Sequence, residues 1–309
     1  MSVSALIVET TSAGHPGMIW VAGGTFLMGS EAFYREERPV RRETVPGFWL
    51  DRYPVTNAEF RTFVDATGYV TLCERPPDPA AYPDADPALL VPGSAVFRKP
   101  SGPVNLRDNR AWWEYTPGAN WRHPQGHESS IEGHDNHPVV HVAYEDASAY
   151  AAWAGKALPT ESEWEFAARG GLDGAPYAWG EEVAPAGRLM ANTWQGRFPF
   201  ENLNLDGYEG TSPVDAFPAN GYGLCDMIGN VWEWTASPFA TPGAEIVKSS
   251  CCSPSAPVNH QQRVVKGGSH LCAPSYCLRY RPAARQGEAV DTSTCHIGFR
   301  CIARLLDGA

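Results

Sequence analysis

The stretch Gly223-Leu224-Cys225-Asp226-Met227-Ile228-Gly229-Asn230-Val231-Trp232-Glu233-Trp234 interleaves bulky aromatic side chains with small and acidic ones. In extended chain, successive side chains face opposite ways. That geometry makes Trp232 a cavity wall and lets Asp226 and Glu233, helped by backbone carbonyls, converge on a hard cation. Calcium accepts about 6–8 oxygen ligands, carbonyls included, so mixed ligation of this kind is chemically reasonable. Residue types alone favour a plainer reading, in which Trp232 and Trp234 anchor a core and the acids face solvent. No EF-hand loop strengthens the calcium case. Asn192-Thr193-Trp194-Gln195-Gly196 and Asp206-Gly207-Tyr208 offer further oxygens and, on composition, read as turns.

Outward from this segment, 309 residues with 43% hydrophobic and 19% charged content describe a globular chain with room for a sizeable core. Basic residues number 24 against 35 acidic ones, a formal charge of −11. That argues against a nucleic-acid backbone as main partner, which calls for a basic patch; a basic peptide segment is the more natural guest. No apolar run is long enough to span a membrane. Residues 1–18 lack the basic and apolar regions of a signal peptide, which places the chain in the cytoplasm. The 30 glycines and 27 prolines point to a loop-rich fold, held together by 11 tryptophans.

Three short helices are expected. Thr56-Asn57-Ala58-Glu59 is a capping box followed by Phe60, Phe63 and Val64 at helical spacing, with Gly68 beyond the end. Residues 145–153 are Ala-rich and stop at Gly155. Thr160-Glu161-Ser162-Glu163 is a second capping box, leading to a stop at Gly170. Strands are expected at 18–21, 25–28, 47–53, 139–142, 263–266 and 298–303. Residues 75–103 read as a long surface loop, and 237–257 as a second irregular stretch. No linker separates two cores, so the chain reads as one α+β domain elaborated by loops.

Eight cysteines are too few for a disulfide scaffold, and in a reducing compartment a close pair points to catalysis or metal binding. Cys272 and Cys277 form such a pair within Gly267-Gly268-Ser269-His270-Leu271-Cys272-Ala273-Pro274-Ser275-Tyr276-Cys277-Leu278-Arg279-Tyr280-Arg281. The glycines permit close backbone approach, and hydroxyl, imidazole and phenol groups crowd the sulfurs. Spacing alone leaves open a loop disulfide, two buried thiols or a functional site. Two thiolates select Cu(I) among available metals, and oxygen chemistry at carbon normally enlists a metal or organic cofactor. His123, His127, His134, His137 and His141 lack a recognised zinc spacing and read as loop and core residues. Cys251-Cys252 reads as two incidental thiols. No phosphate-binding loop, nucleotide fingerprint or nucleophile elbow is present.

Several further segments belong together: Gly17-Met18, Gly23-Gly24-Thr25-Phe26-Leu27-Met28-Gly29-Ser30, Tyr53-Pro54-Val55-Thr56-Asn57, Gly118-Ala119-Asn120-Trp121-Arg122-His123-Pro124, Leu158-Pro159-Thr160-Glu161 and Gly298-Phe299-Arg300-Cys301. With them the chain resembles the formylglycine-generating enzymes, or sulfatase-modifying factors, over nearly its whole length. Gly229-Asn230-Val231-Trp232-Glu233-Trp234 is shared by the wider superfamily and speaks only to fold. The Gly-Ser-x-x-Cys-x4-Cys-x-Arg-Tyr-Arg segment at 268–281 is more specific and points to the oxidase branch.

The resemblance implies a compact α+β domain related to C-type lectins, over 17–304, with tails at 1–16 and 305–309. It implies O2-dependent oxidation of the cysteine in a Cys-x-Pro-x-Arg segment of an unfolded or nascent sulfatase to Cα-formylglycine, by a monomer. Cys272 and Cys277 match thiols that bind Cu(I), where substrate thiolate and oxygen meet before hydrogen leaves the substrate Cβ. Ser269, Tyr276 and Trp232 match the lining of that pocket. Asn192, Thr193 (carbonyl), Asp206 and Tyr208 (carbonyl) match one structural calcium site, and Asp226, Gly229 (carbonyl), Val231 (carbonyl) and Glu233 a second, which reverses the solvent-facing reading of the acids. Ala151, Ala168 and Pro282 stand where secreted members carry disulfide cysteines, leaving Cys301 without its partner. His296 stands where the resemblance places an asparagine. Two other activities remain within the superfamily. An iron-dependent sulfoxide synthase needs an additional His-rich helical domain, for which 309 residues leave little room. A non-catalytic lectin-like module has no reason to keep both thiols.

Overall fold

The computed structural model describes residues 15–240 and 261–305. Its strands are β1 (Met18–Val21), β2 (Gly24–Met28), β3 (Arg41–Val45), β4 (Phe48–Asp51), β5 (Gly93–Phe97), β6 (Trp113–Pro117), β7 (Trp232–Pro238), β8 (Gln262–Lys266), β9 (Arg285–Ala289), β10 (Ile297–Gly298) and β11 (Ile302–Arg304). Three helices accompany them: α1 (Asn57–Thr67), α2 (Tyr144–Trp153) and α3 (Glu161–Arg169). The strands pair as β1-β4-β11, β10-β7-β8-β9, β2-β3 and β5-β6, which is the expected α+β class. Cys251 and Cys252, and most of the predicted 237–257 loop, lie outside the described residues.

The helices form where local chemistry dictates. Thr56 accepts the Glu59 N–H while the Glu59 carboxylate accepts the Thr56 N–H, and Gly68 ends α1 in the left-handed region at φ 68°. Thr160 and Glu163 repeat the device for α3, which ends on Gly170 at φ 57°. Phe60 of α1, Tyr150 of α2 and Phe299 then meet Trp121 in one aromatic core that continues to Trp232 and Trp234.

Four expectations change. The predicted strand over 298–303 splits, because β10 runs parallel to β7 while β11 runs antiparallel to β4. Between them Phe299-Arg300-Cys301 crosses the interior. Residues 139–142 are buried but form no strand: His141 has φ 60°, and the backbone there bonds instead to Val55 and Thr294. The surface loop predicted over 75–103 contains β5, which is enclosed by β6 and by Ser293 and Thr294; its small residues hid the strand pattern. Finally, 223–231 is not extended. Asp226, Gly229 and Asn230 all have positive φ, so the alternation premised for this segment begins only at Trp232.

Candidate functional site

The loop that follows β8 builds the site. Gly267 and Gly268 have φ 95° and 71°. A Cβ on Gly268 would meet the Arg279 carbonyl oxygen at 2.8 Å, so only glycine lets the two arms of the loop close on each other. The Cys272 N–H donates to the Ser269 carbonyl at 2.9 Å and the Cys277 N–H to the Ala273 carbonyl at 2.8 Å. These turns bring the two sulfurs to 3.3 Å. That separation is too long for a disulfide, which needs about 2.05 Å. Both side chains are buried, whereas Pro274 and Ser275 between them are exposed, so the sulfurs lie just beneath a surface loop.

Beside the sulfurs lies a cavity of about 10 Å³, lined by Trp112, Trp113, Phe198, Trp232, Ser269, Leu271, Tyr276 and His296 as well as the two cysteines. That is space for about one water-sized molecule. The structure thus brings together all five residues predicted for the reaction site. Tyr276 is fixed by stacking on Phe198 at 4.5 Å and by an edge contact with Trp112. The Ser269 hydroxyl accepts the Leu271 N–H at 3.2 Å. The sequence reading missed Trp112, Trp113 and Phe198 as walls; their one signal was a tryptophan pair inside an otherwise irregular stretch.

Among the described residues no acidic side chain lines this cavity. Arg279 approaches the Cys277 sulfur at 3.8 Å and is itself held over Tyr34 and by Glu36. Arg281, buried, clamps Glu37 with both terminal nitrogens, so the 33–37 segment seals one side of the loop. Two soft sulfur donors in contact, with the other cavity walls uncharged, fit Cu(I) and no hard cation.

The oxygen-rich segments also come together, since the Asn230 N–H donates to the Asn192 carbonyl at 2.9 Å. In the first, the Gln195 amide donates both to the Thr193 carbonyl and, at 2.7 Å, to the Asp206 carboxylate, which in turn accepts the Tyr208 N–H. One amide bridges the oxygens a cation would take, so the donor set fits. In the second, Asp226 and Glu233 are buried, not solvent-facing. Asp226 Oδ1 has no hydrogen-bond partner among the described residues, and burial lifts its carboxyl to about 7 despite the Asn230 amide and Arg300. That oxygen fits a cation. Glu233 fits less well: it accepts from Trp164 Nε1 and from two Arg300 nitrogens at 2.7–2.8 Å, leaving about one of its four lone-pair positions open. Among the described residues no three His, Cys, Asp or Glu side chains gather at one point, so either cation would depend on backbone carbonyls.

The remaining candidates go elsewhere. His123, His134, His137 and His141 each bond to local backbone or hydroxyl groups, and His127 packs on Gly118. Cys301 is fully buried, and burial pushes its thiol well up. Ala151, Ala168 and Pro282 are buried in the places marked for disulfide cysteines, and the six described cysteines form no disulfide.

Comparison with known proteins accords with this geometry. The model of the sulfatase-modifying factor enzyme 1-like domain matches residues 3–305. A formylglycine-generating enzyme of Mycobacterium tuberculosis is 56% identical over 94% of this chain and 99% of its own. An inactive C-alpha-formylglycine-generating enzyme 2 of Mus musculus is 41% identical over 94% of this chain and 86% of its own. The structure of PvdO from Pseudomonas aeruginosa superposes with a TM-score of 0.63 at 25% identity, over 93% of this chain and 94% of that one. The chain belongs to the formylglycine-generating enzyme, or sulfatase-modifying factor, family.

Proposed function

We propose that this protein is a copper-dependent oxidase that uses O2 to convert the cysteine of a Cys-x-Pro-x-Arg segment in an unfolded or nascent sulfatase to Cα-formylglycine, thereby activating the sulfatase. The observation that carries this reading is the buried sulfur pair, 3.3 Å apart, beside a cavity that admits about one small molecule. Cys272 and Cys277 would hold Cu(I), which supplies a soft site for a substrate thiolate and one-electron chemistry with oxygen. Trp112, Trp113, Phe198 and Trp232 exclude bulk water from that place. Ser269 and Tyr276 line it and orient what enters. Arg279 directs a guanidinium nitrogen to the Cys277 sulfur. A net charge of −11 suits a client segment that carries arginine.

The electron balance adds a requirement. Replacing the substrate thiol by an aldehyde oxygen releases hydrogen sulfide and two electrons, whereas reducing O2 to water takes four. The other two must come from a reductant such as a second thiol pair. Calcium at the 192–208 and 226–233 segments would be structural, and the protein would act as a cytoplasmic monomer. The test is a thiol-bearing Cys-x-Pro-x-Arg peptide incubated with copper-loaded protein, a thiol reductant and air, read by mass spectrometry for the aldehyde. Aldehyde that depends on both copper and O2 supports the proposal. An unchanged peptide sinks it and favours a non-catalytic role, a possibility that the named inactive relative keeps concrete.

A further inference from the structure

We propose that His296 is a catalytic residue of this site: its Nε2–H donates a hydrogen bond to the small molecule that occupies the cavity beside Cys272 and Cys277. The identity of that molecule as oxygen rests on the oxidase reading above; the hydrogen bond itself does not.

The imidazole is firmly placed. Its backbone carbonyl accepts the Trp232 N–H at 2.9 Å, Nδ1 lies 2.6 Å from the Thr294 hydroxyl, and the ring lies 4.9 Å from that of Trp113. His296 is 1% exposed and lines the cavity together with both thiols. Its Nε2 has no hydrogen-bond partner among the described residues. Leaving a buried polar nitrogen unpaired is costly, and nearby histidines avoid it. His141 bonds through both nitrogens, to Ser94 and to the Pro124 carbonyl, and His270 bonds the Asn230 carbonyl. Of these three, only His296 has a fully buried nitrogen without a hydrogen-bond partner among the described residues, and it borders the cavity. A cavity occupant is the partner it lacks.

The tautomer follows from the same contacts. The Thr294 hydroxyl has no other hydrogen-bond partner among the described residues, so its proton is satisfied only by donation to Nδ1. Nε2 then carries the ring proton. Burial, and the neighbouring His270 and His141, hold the imidazole well below its ordinary pKa, so it stays neutral and acts as a fixed dipole. A fixed donor aimed at oxygen gains strength as negative charge develops on that oxygen during reduction.

The experiment compares wild type with His296→Leu, His296→Phe and His296→Gln, the last keeping an N–H near the Nε2 position. A crystal structure of metal-free wild type should show an ordered water about 3 Å from Nε2, and 15N NMR of the histidines should show the Nε2–H tautomer. With oxygen varied in the peptide assay, the Leu and Phe variants should lose about 100-fold in kcat/KM for O2. Their peptide KM and their Cu(I) affinity, measured by chelator competition, should stay unchanged, and Gln should recover most of the loss. The proposal is overturned by a dry cavity, by an Nε2 without a proton, or by an unaltered oxygen dependence in both apolar variants. A marked fall in Cu(I) affinity would equally overturn it by making His296 a metal ligand. If the Leu variant does not fold, the Phe variant and the wild-type water decide. If wild type leaves the peptide unchanged, the oxidase reading fails, while the crystal and NMR results still judge His296.

Discussion

Trp232 and Glu233 are neighbours on β7 and serve opposite halves of the molecule. Trp232 faces the sulfur cavity, where its Nε1, the Trp113 Nε1 and the His296 Nε2 all lack hydrogen-bond partners among the described residues. Glu233 faces away, where Trp164 and Arg300 fill about three of its four lone-pair positions and Arg300 also grips the Cys225 and Asp226 carbonyls. Behind it, Glu165 binds Lys266, Arg169 and the Gly29 N–H. Burial pushes the Glu165 carboxyl up, yet the two cations together hold it below the usual range. On one side of the strand the buried charges are mostly paired, although Asp226 Oδ1 and Arg169 Nε lack hydrogen-bond partners among the described residues. The other retains unmet polar groups around a small void, which is how a site poised for a ligand differs from a scaffold.

The largest expected effect lies on the cavity side. Cys272→Ser and Cys277→Ser should each lower peptide turnover by at least about 1000-fold, equivalent to about 4 kcal/mol of barrier, with the urea midpoint nearly unchanged. A comparable loss of stability would erase the distinction between the two faces. On the other side, Glu233→Gln leaves the buried Arg300 without a counter-charge and should cost about 3–5 kcal/mol in denaturant unfolding. Loss of turnover at temperatures where this variant is still folded would make Glu233 functional instead.

Intermediate in size is a pH effect on a satisfied histidine. Burial lowers His141 to about 4, while in the unfolded chain it returns to about 6.5. The folded state therefore refuses the proton: stability is complete above pH 6.5 and drains away as pH falls toward 4, by up to about 3 kcal/mol. His141→Gln should flatten that part of the pH–stability curve. Trp232→Phe should reduce turnover about tenfold, or about 1.4 kcal/mol, at a stability cost near 1 kcal/mol, because the indole N–H it removes has no hydrogen-bond partner among the described residues. Smallest of all, Cys73→Ser should leave turnover within about twofold, since among the described residues Cys73 bonds only the Thr71 hydroxyl and His141 carbonyl, outside the cavity. A larger change would mean that thiol burial, not the sulfur pair, governs activity.

Legibility in the sequence followed the range of the interaction. Both capping boxes and the glycine stops of α1 and α3 were readable because every participating group lies within one helix. So was the sulfur pair, whose turn closes on residues five apart. The split of 298–303 was not, because partners on two different sheets decide it. Nor was β5, whose burial depends on Ser293 and Thr294, nearly two hundred positions away.

For the 223–234 segment the division is equally sharp. Its composition alone announced aromatic anchors and oxygen donors, because those are properties of side chains. Which acid keeps an unpartnered oxygen and which meets an arginine was decided by tertiary structure. Arg300 reaches Glu233 only because the chain crosses the core between β10 and β11, and positive φ at Asp226, Gly229 and Asn230 turns the Asp226 carboxylate into a buried place of its own. Local chemistry supplied the groups; long-range packing chose their partners.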